Sequence, residues 1–224
     1  MTSGCDMTMV SSTDLMNRTY RHQRHFYDFT RKYYLLGRDR LIAHLAPHTG
    51  DAVLEIGCGT GRNLTTAAAR YPDARMYGID VSTEMLTSAI TRIARAGLAA
   101  QIRVAHDDAT RLDPAPLFGI ARFERIFISY SLSMIPQWRT VIDVALCHLA
   151  PSGELHIVDF GGQERLPGVF RSLLRRWLAL FHVIPCDEME QVLKARAQAA
   201  GASLAFERPY RDYAQYAVLR LPAT

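Results

Sequence analysis

The sequence predicts an α/β fold: a doubly wound, mostly parallel seven-stranded sheet that ends in an antiparallel C-terminal hairpin. Three observations carry this expectation. Beyond Gly50, short apolar runs alternate with stretches of helical spacing, the pattern of a parallel sheet covered on both faces. A glycine cluster follows the first of these runs, where a strand has to turn into a helix. The last two runs are joined only by a turn near Pro209, so they pair as a hairpin.

In chain order, residues 1–14 are small, polar and aperiodic, and read as a mobile leader to a single domain over 15–224. Residues 15–46 are rich in Tyr and Arg with helical spacing, are broken at Gly37, and form an expected helical lid ended by Pro47 and Gly50. Strands are expected at 52–56, 75–80, 102–105, 123–128, 154–159, 203–208 and 213–220. Ser82 is placed to cap a helix starting near Thr83. Residues 170–181 show apolar residues on one helical face and Arg171, Arg175 and Arg176 towards the other.

Composition narrows the class. Hydrophobic residues make up 49% of the 224 and charged residues 21%, a balance that excludes disordered and fibrous chains. No apolar run approaches the roughly 18–20 residues of a spanning helix. Residues 1–20 lack the pattern of a signal peptide, so the expected location is the cytoplasm. Cys5, Cys58, Cys147 and Cys186 are scattered without ligand spacing, which argues for reduced thiols and no metal. The net charge is only +4, yet residues 18–40 concentrate arginines, suiting an anionic surface or a solvated helix face.

The chemistry gathers after the first strand, in Glu55-Ile56-Gly57-Cys58-Gly59-Thr60-Gly61. Ligands in open α/β sheets sit at the carboxyl ends of the strands, and glycine there lets a ligand approach bare backbone and permits positive φ. A dinucleotide fingerprint requires a third glycine where Arg62 stands, so the spacing is G-x-G-x-G with Glu55 two residues ahead. Asp80, ending the second strand and followed by Val81, lies where such folds place a ribose-binding carboxylate. Asp108 and Ala109 follow the third strand, and Ser129 and Tyr130 end the fourth.

These motifs resemble class I S-adenosylmethionine-dependent methyltransferases, and motif I is specific for that superfamily. The resemblance implies an S-adenosylmethionine site: Glu55, Gly57, Cys58, Gly59 and Gly61 in the loop, Asp80 and Val81 at the ribose, Asp108 and Ala109 at the adenine, Ser129 and Tyr130 along the transfer channel. Tyr130 is the candidate catalytic residue, with His182 a second candidate for taking the amine proton. Tyr27 and Arg31 share a helix face that the resemblance places over the methionine carboxylate. The string TRKYYLLGRDRLI followed by VLEIGCGTGRN is similar to the N-methyltransferases of bacterial betaine-lipid synthesis. That similarity implies trimethylation of diacylglyceryl-homoserine, a partner enzyme that makes this lipid, no nucleic-acid partner, and contact with the inner membrane surface through 18–40 and 170–181. Phospholipid N-methyltransferases, other amine methyltransferases and a noncatalytic cofactor-binding subunit stay open as alternatives. For 170–181, packing on the protein's own core is the competing reading.

Overall fold

The computed structural model describes residues 35–181 and 183–223. Its centre is one seven-stranded sheet in the order β3-β2-β1-β4-β5-β7-β6. The strands are β1 (Ala52–Ile56), β2 (Arg75–Asp80), β3 (Ile102–His106), β4 (Phe123–Ser129), β5 (Leu149–Phe160), β6 (Ser203–Glu207) and β7 (Ala214–Arg220). The first five are parallel, whereas β7 runs antiparallel to both β5 and β6. The expected fold class is therefore found, with boundaries within a residue or two everywhere except β5.

That strand begins at Leu149 and not near Glu154. Pro151, Ser152 and Gly153 look like a loop in sequence, but they form an irregularity inside the strand: Leu149 pairs with Phe123, the register then shifts, and Glu154 pairs with Arg125. Ser152 absorbs the shift with φ of 59°.

The helices are α1 (Arg38–His44), α2 (Arg62–Arg70), α3 (Thr83–Arg95), α4 (Pro114–Phe118), α5 (Trp138–Cys147), α6 (Gly168–Leu180) and α7 (Met189–Ala200). Burial of both sheet faces explains the near-continuous apolar strands: β1 is buried at every position. Leu54, Ile56, Ile126, Ile128, Leu155 and Ile157 pack in one cluster with Trp138 and Ile142 of α5 and Met189 and Leu193 of α7. Ser82 caps α3 as expected, its Oγ accepting from the Met85 N–H.

Gly37 precedes α1 with φ of 91°, and a side chain there would press on Val158. Within the expected lid over 15–46, the described part holds the short helix α1. Residues 38–45 are tied to the domain by the Tyr71 hydroxyl, 2.9 Å from the Ile42 and Ala43 carbonyls, and by Arg125 Nε donating to Leu45 O. Arg38 is buried and Arg40 is paired with Glu207. The leader and the remainder of the lid and basic segment, with Tyr27 and Arg31, lie outside the described residues.

Candidate functional site

The carboxyl ends of β1 to β4 meet at the loop 57–61. Gly57, Gly59 and Gly61 have φ of 75°, 52° and 71°, the left-handed region in which a side chain is strained. At Gly57 the need is steric as well, because an added Cβ would lie 2.6 Å from Ser131 Cβ in the loop after β4. The loop folds back onto β2: the Gly57 and Cys58 N–H groups both donate to Ile79 O at 2.9 Å. Gly78 of β2 makes room for this, since a side chain there would meet Leu64 and Cys58. Burial pushes the Cys58 thiol well above its ordinary pKa, so it packs as an apolar group.

Asp80 anchors the loop from its side. Its Oδ2 accepts from the Gly59 N–H at 2.7 Å and its Oδ1 from the Ser82 N–H at 2.9 Å, so one carboxylate joins the tip of the loop to the start of α3. Arg92 on α3 adds a bond from Nε to Thr60 O. Glu55 lies fully buried beneath the loop, its Oε1 accepting from Asn63 Nδ2 at 2.7 Å. It supports the loop from below and presents no oxygen to solvent. Gly57, Gly59, Asp80, Val81, Asp108, Ala109 and Ser129 are each half-buried, which makes this rim reachable.

After β3, the Asp107 N–H donates to Asp80 O and His106 Nε2 lies 3.0 Å from Val81 O, tying the two strand ends together. Asp108 Oδ1 accepts from the Thr110 N–H and hydroxyl, which closes the turn carrying Ala109. Ser129 Oγ lies in the interior without a hydrogen-bond partner. Tyr130 is buried and left-handed, its hydroxyl donates to Leu36 O at 2.6 Å, and its ring stands edge-on to Phe160. Burial raises its pKa well above 10. This geometry corrects the expectation of a proton-accepting Tyr130, since its proton is held and its oxygen is sealed off. His182 lies outside the described residues.

The sequence assigns no role in the site to Asn63, Gly78, Arg92 or Ser131. Gly78 carried a signal, because glycine inside a strand marks a close approach. The other three act through contacts distant in the chain, which the sequence does not display.

The helix α6 buries only Leu178 completely; Val169, Leu173 and Leu180 are 86%, 68% and 73% exposed. Core packing of the whole apolar face is thereby excluded. Of its arginines, Arg175 turns inward and donates to Gly162 O at 3.1 Å, contrary to the expectation that it faces outward with Arg171 and Arg176. No helix among the described residues is long and apolar enough to cross a membrane.

The sheet order and the left-handed glycine loop at its centre are those of the fold that S-adenosylmethionine-dependent methyltransferases share. Comparison agrees: residues 53–153 match the family model described as a methyltransferase domain. Among curated proteins, the chain is 28% identical over 152 residues to O-methyltransferase cnsE of Penicillium expansum, covering 67% of this chain and 52% of that one. The chain thus spans about half the length of such relatives. It is 29% identical over 205 residues to the phosphatidylethanolamine N-methyltransferase of Cereibacter sphaeroides, covering 87% of this chain and 97% of that one. Among solved structures, phosphoethanolamine N-methyltransferase 2 of Haemonchus contortus in complex with S-adenosyl-L-methionine has the same fold, with a TM-score of 0.75 at 16% identity over 97% of this chain and 61% of that one.

Proposed function

We propose that this chain transfers a methyl group from S-adenosylmethionine to the amine of a membrane-lipid headgroup. The expected acceptor is diacylglyceryl-homoserine, giving the trimethylated betaine lipid, with phosphatidylethanolamine as the second candidate. The observation that carries the lipid-amine reading is the similarity to a phosphatidylethanolamine N-methyltransferase across nearly the full length of both chains. The exposed apolar side chains of α6, with exposed Arg176 and half-buried Arg171 beside them and no acidic residue in the helix, support work at an anionic bilayer surface.

The residues of the rim fit the cofactor. The glycine loop offers backbone without Cβ atoms, and Asp80 is half-buried at the end of β2, where two ribose hydroxyls would add to its backbone donors; carboxylate oxygens accept more than one bond each. Asp108 and Ala109 would hold the adenine, Val81 the ribose, and half-buried Ser129 would stand beside the transfer channel. Glu55 acts through Asn63 in holding the loop, and Cys58 fills the space beneath it. When bound, S-adenosylmethionine would supply an electrophilic methyl group in line with an amine lone pair, the S–CH3 bond breaking as the N–CH3 bond forms and S-adenosylhomocysteine leaving.

The protein's part is alignment, which can supply roughly 7–11 kcal/mol. Tyr130 fixes the end of β4 and lends its ring to the wall; the amine must arrive neutral or lose its proton to water. The test incubates the purified chain and S-adenosylmethionine with vesicles containing diacylglyceryl-homoserine or phosphatidylethanolamine and follows lipid masses. Successive gains of one methyl group are expected on the homoserine lipid. Transfer to phosphatidylethanolamine alone would reassign the acceptor; transfer to neither would overturn the lipid-amine reading.

A further inference from the structure

The loop after β5 carries a polar side chain that nothing in the fold satisfies. Gln163 is fully buried, and both its Nε2 and its Oε1 lack a hydrogen-bond partner. Buried polar groups are almost always paired, so a carboxamide unpaired at both ends costs stability twice over. Its backbone is strained as well, with φ of 58° at a residue that is not glycine.

The strain is held in place by a second strained segment. Tyr210, Arg211 and Asp212, in the turn between β6 and β7, are all left-handed. The Gln163 N–H donates to Asp212 O at 2.8 Å, the Glu164 N–H to Asp212 Oδ2, and Gly161 approaches so closely that a side chain there would lie 2.3 Å from Asp212 O. Arg208 holds the other oxygen of Asp212. Two strained turns thus brace each other, and their joint effect is to fix Gln163.

Two more unsatisfied groups surround the same loop. Arg175 donates from Nη2 to Gly162 O while its Nε stays buried and unpaired, and Gln215 donates from Nε2 to Phe160 O and Cys186 O while its Oε1 stays buried and unpaired. The neighbourhood holds unmet donors, on Gln163 and Arg175, beside unmet acceptors, on Gln163 and Gln215. Asp187 and Asp212 add negative charge opposite Arg175 and Arg208. The complementary ligand carries an anionic oxygen and an N–H-bearing amine together. The loop itself lies at the surface, with Glu164 and Arg165 exposed, and at the carboxyl end of a strand.

We propose that Gln163 is a specificity-determining residue that receives a zwitterionic headgroup, amine and anionic group together, of the methyl acceptor. The inference rests on the lipid-amine reading above and deepens it. Two sources share this chemistry: the carboxylate of a homoserine headgroup and the phosphate of an ethanolamine headgroup.

The test compares wild type with Gln163→Met, which keeps length and removes both polar ends. Saturated with S-adenosylhomocysteine, each protein is titrated calorimetrically with homoserine and, separately, with glycerophosphoethanolamine, and its melting temperature is recorded without ligand. Wild type should bind one probe, which names the source, and the variant should bind it at least tenfold more weakly while melting at the same or a higher temperature. Equal binding by both proteins, no binding of either probe by wild type, or a lower melting temperature with unchanged binding would overturn the assignment and make Gln163 a structural residue. Probe binding lost in the variant, with no methyl transfer by wild type to either lipid, would uphold the site and overturn the lipid-amine function instead.

Discussion

Asp80 uses one carboxylate for two tasks, and that sets how its loss would appear. Its oxygens hold the Gly59 and Ser82 N–H groups, and under the proposed function they also take the ribose hydroxyls. Asp80→Ala should weaken S-adenosylmethionine binding by about 1.5–3 kcal/mol, some ten- to hundredfold in the calorimetric dissociation constant, as expected for bonds to a charged group. Gly57→Ala should instead destabilise the fold by about 1–3 kcal/mol through left-handed strain and the clash with Ser131. Gly97→Ala, left-handed but in open space, is the control, and its melting temperature should fall less. These residues were legible because their chemistry is local: glycine and acid at fixed spacing after a strand. Tyr130 was legible as a position and misread as a chemical group. Its Leu36 partner is 94 residues away, and no spacing rule reveals that bond.

Among the elements, α6 shows how little of an amphipathic face the fold covers. The pattern placed Phe170, Leu173, Leu174, Trp177, Leu178 and Phe181 together, and the fold covers only Leu178 fully. The sequence could not supply this answer, since it depends on how far the sheet extends beneath the helix. If the helix rests on lipid, Arg171→Gln with Arg176→Gln should remove two charges of about 1 kcal/mol each, a roughly thirtyfold loss of anionic-vesicle affinity at low salt that shrinks as salt rises. Co-sedimentation measures it, and neutral vesicles should respond little. Arg175→Gln belongs to a different class: it should lower the melting temperature by releasing the Gly162 carbonyl. The early part of β5 was illegible for a related reason. Proline and glycine at 151 and 153 signal a turn, and only the neighbouring strand, by accepting a register shift, turns that signal into a bulge.

Across the whole molecule, the alternation of strand and helix gave the topology, while the ionic seam of the sheet was invisible to it. Glu154 on β5 pairs with Arg220 on β7 and with His156, and Arg125 on β4 lies 3.7 Å away. The His156 hydrogen bond, with Arg220 and Arg125, holds the Glu154 carboxyl down to about 2, and burial pushes the His156 imidazole below its ordinary value. Because the folded pKa lies below the unfolded one, this stabilisation is complete above about pH 4.5 and vanishes as pH falls towards 2. Glu154→Gln should therefore cost about 3 kcal/mol at neutral pH and flatten the dependence of the melting temperature on pH within that acid window, as calorimetric scans would register. Arg220, the partner at the far end of this seam, belongs to the strand that follows β6 in the chain yet lies between β5 and β6 in the sheet. During synthesis, β5 and β6 must wait as unpaired edges, each able to template a stranger's strand, until the last strand slides between them. Completion is then a late, long-range step, and crowding of nascent chains during that interval is where this fold is most exposed to mispairing.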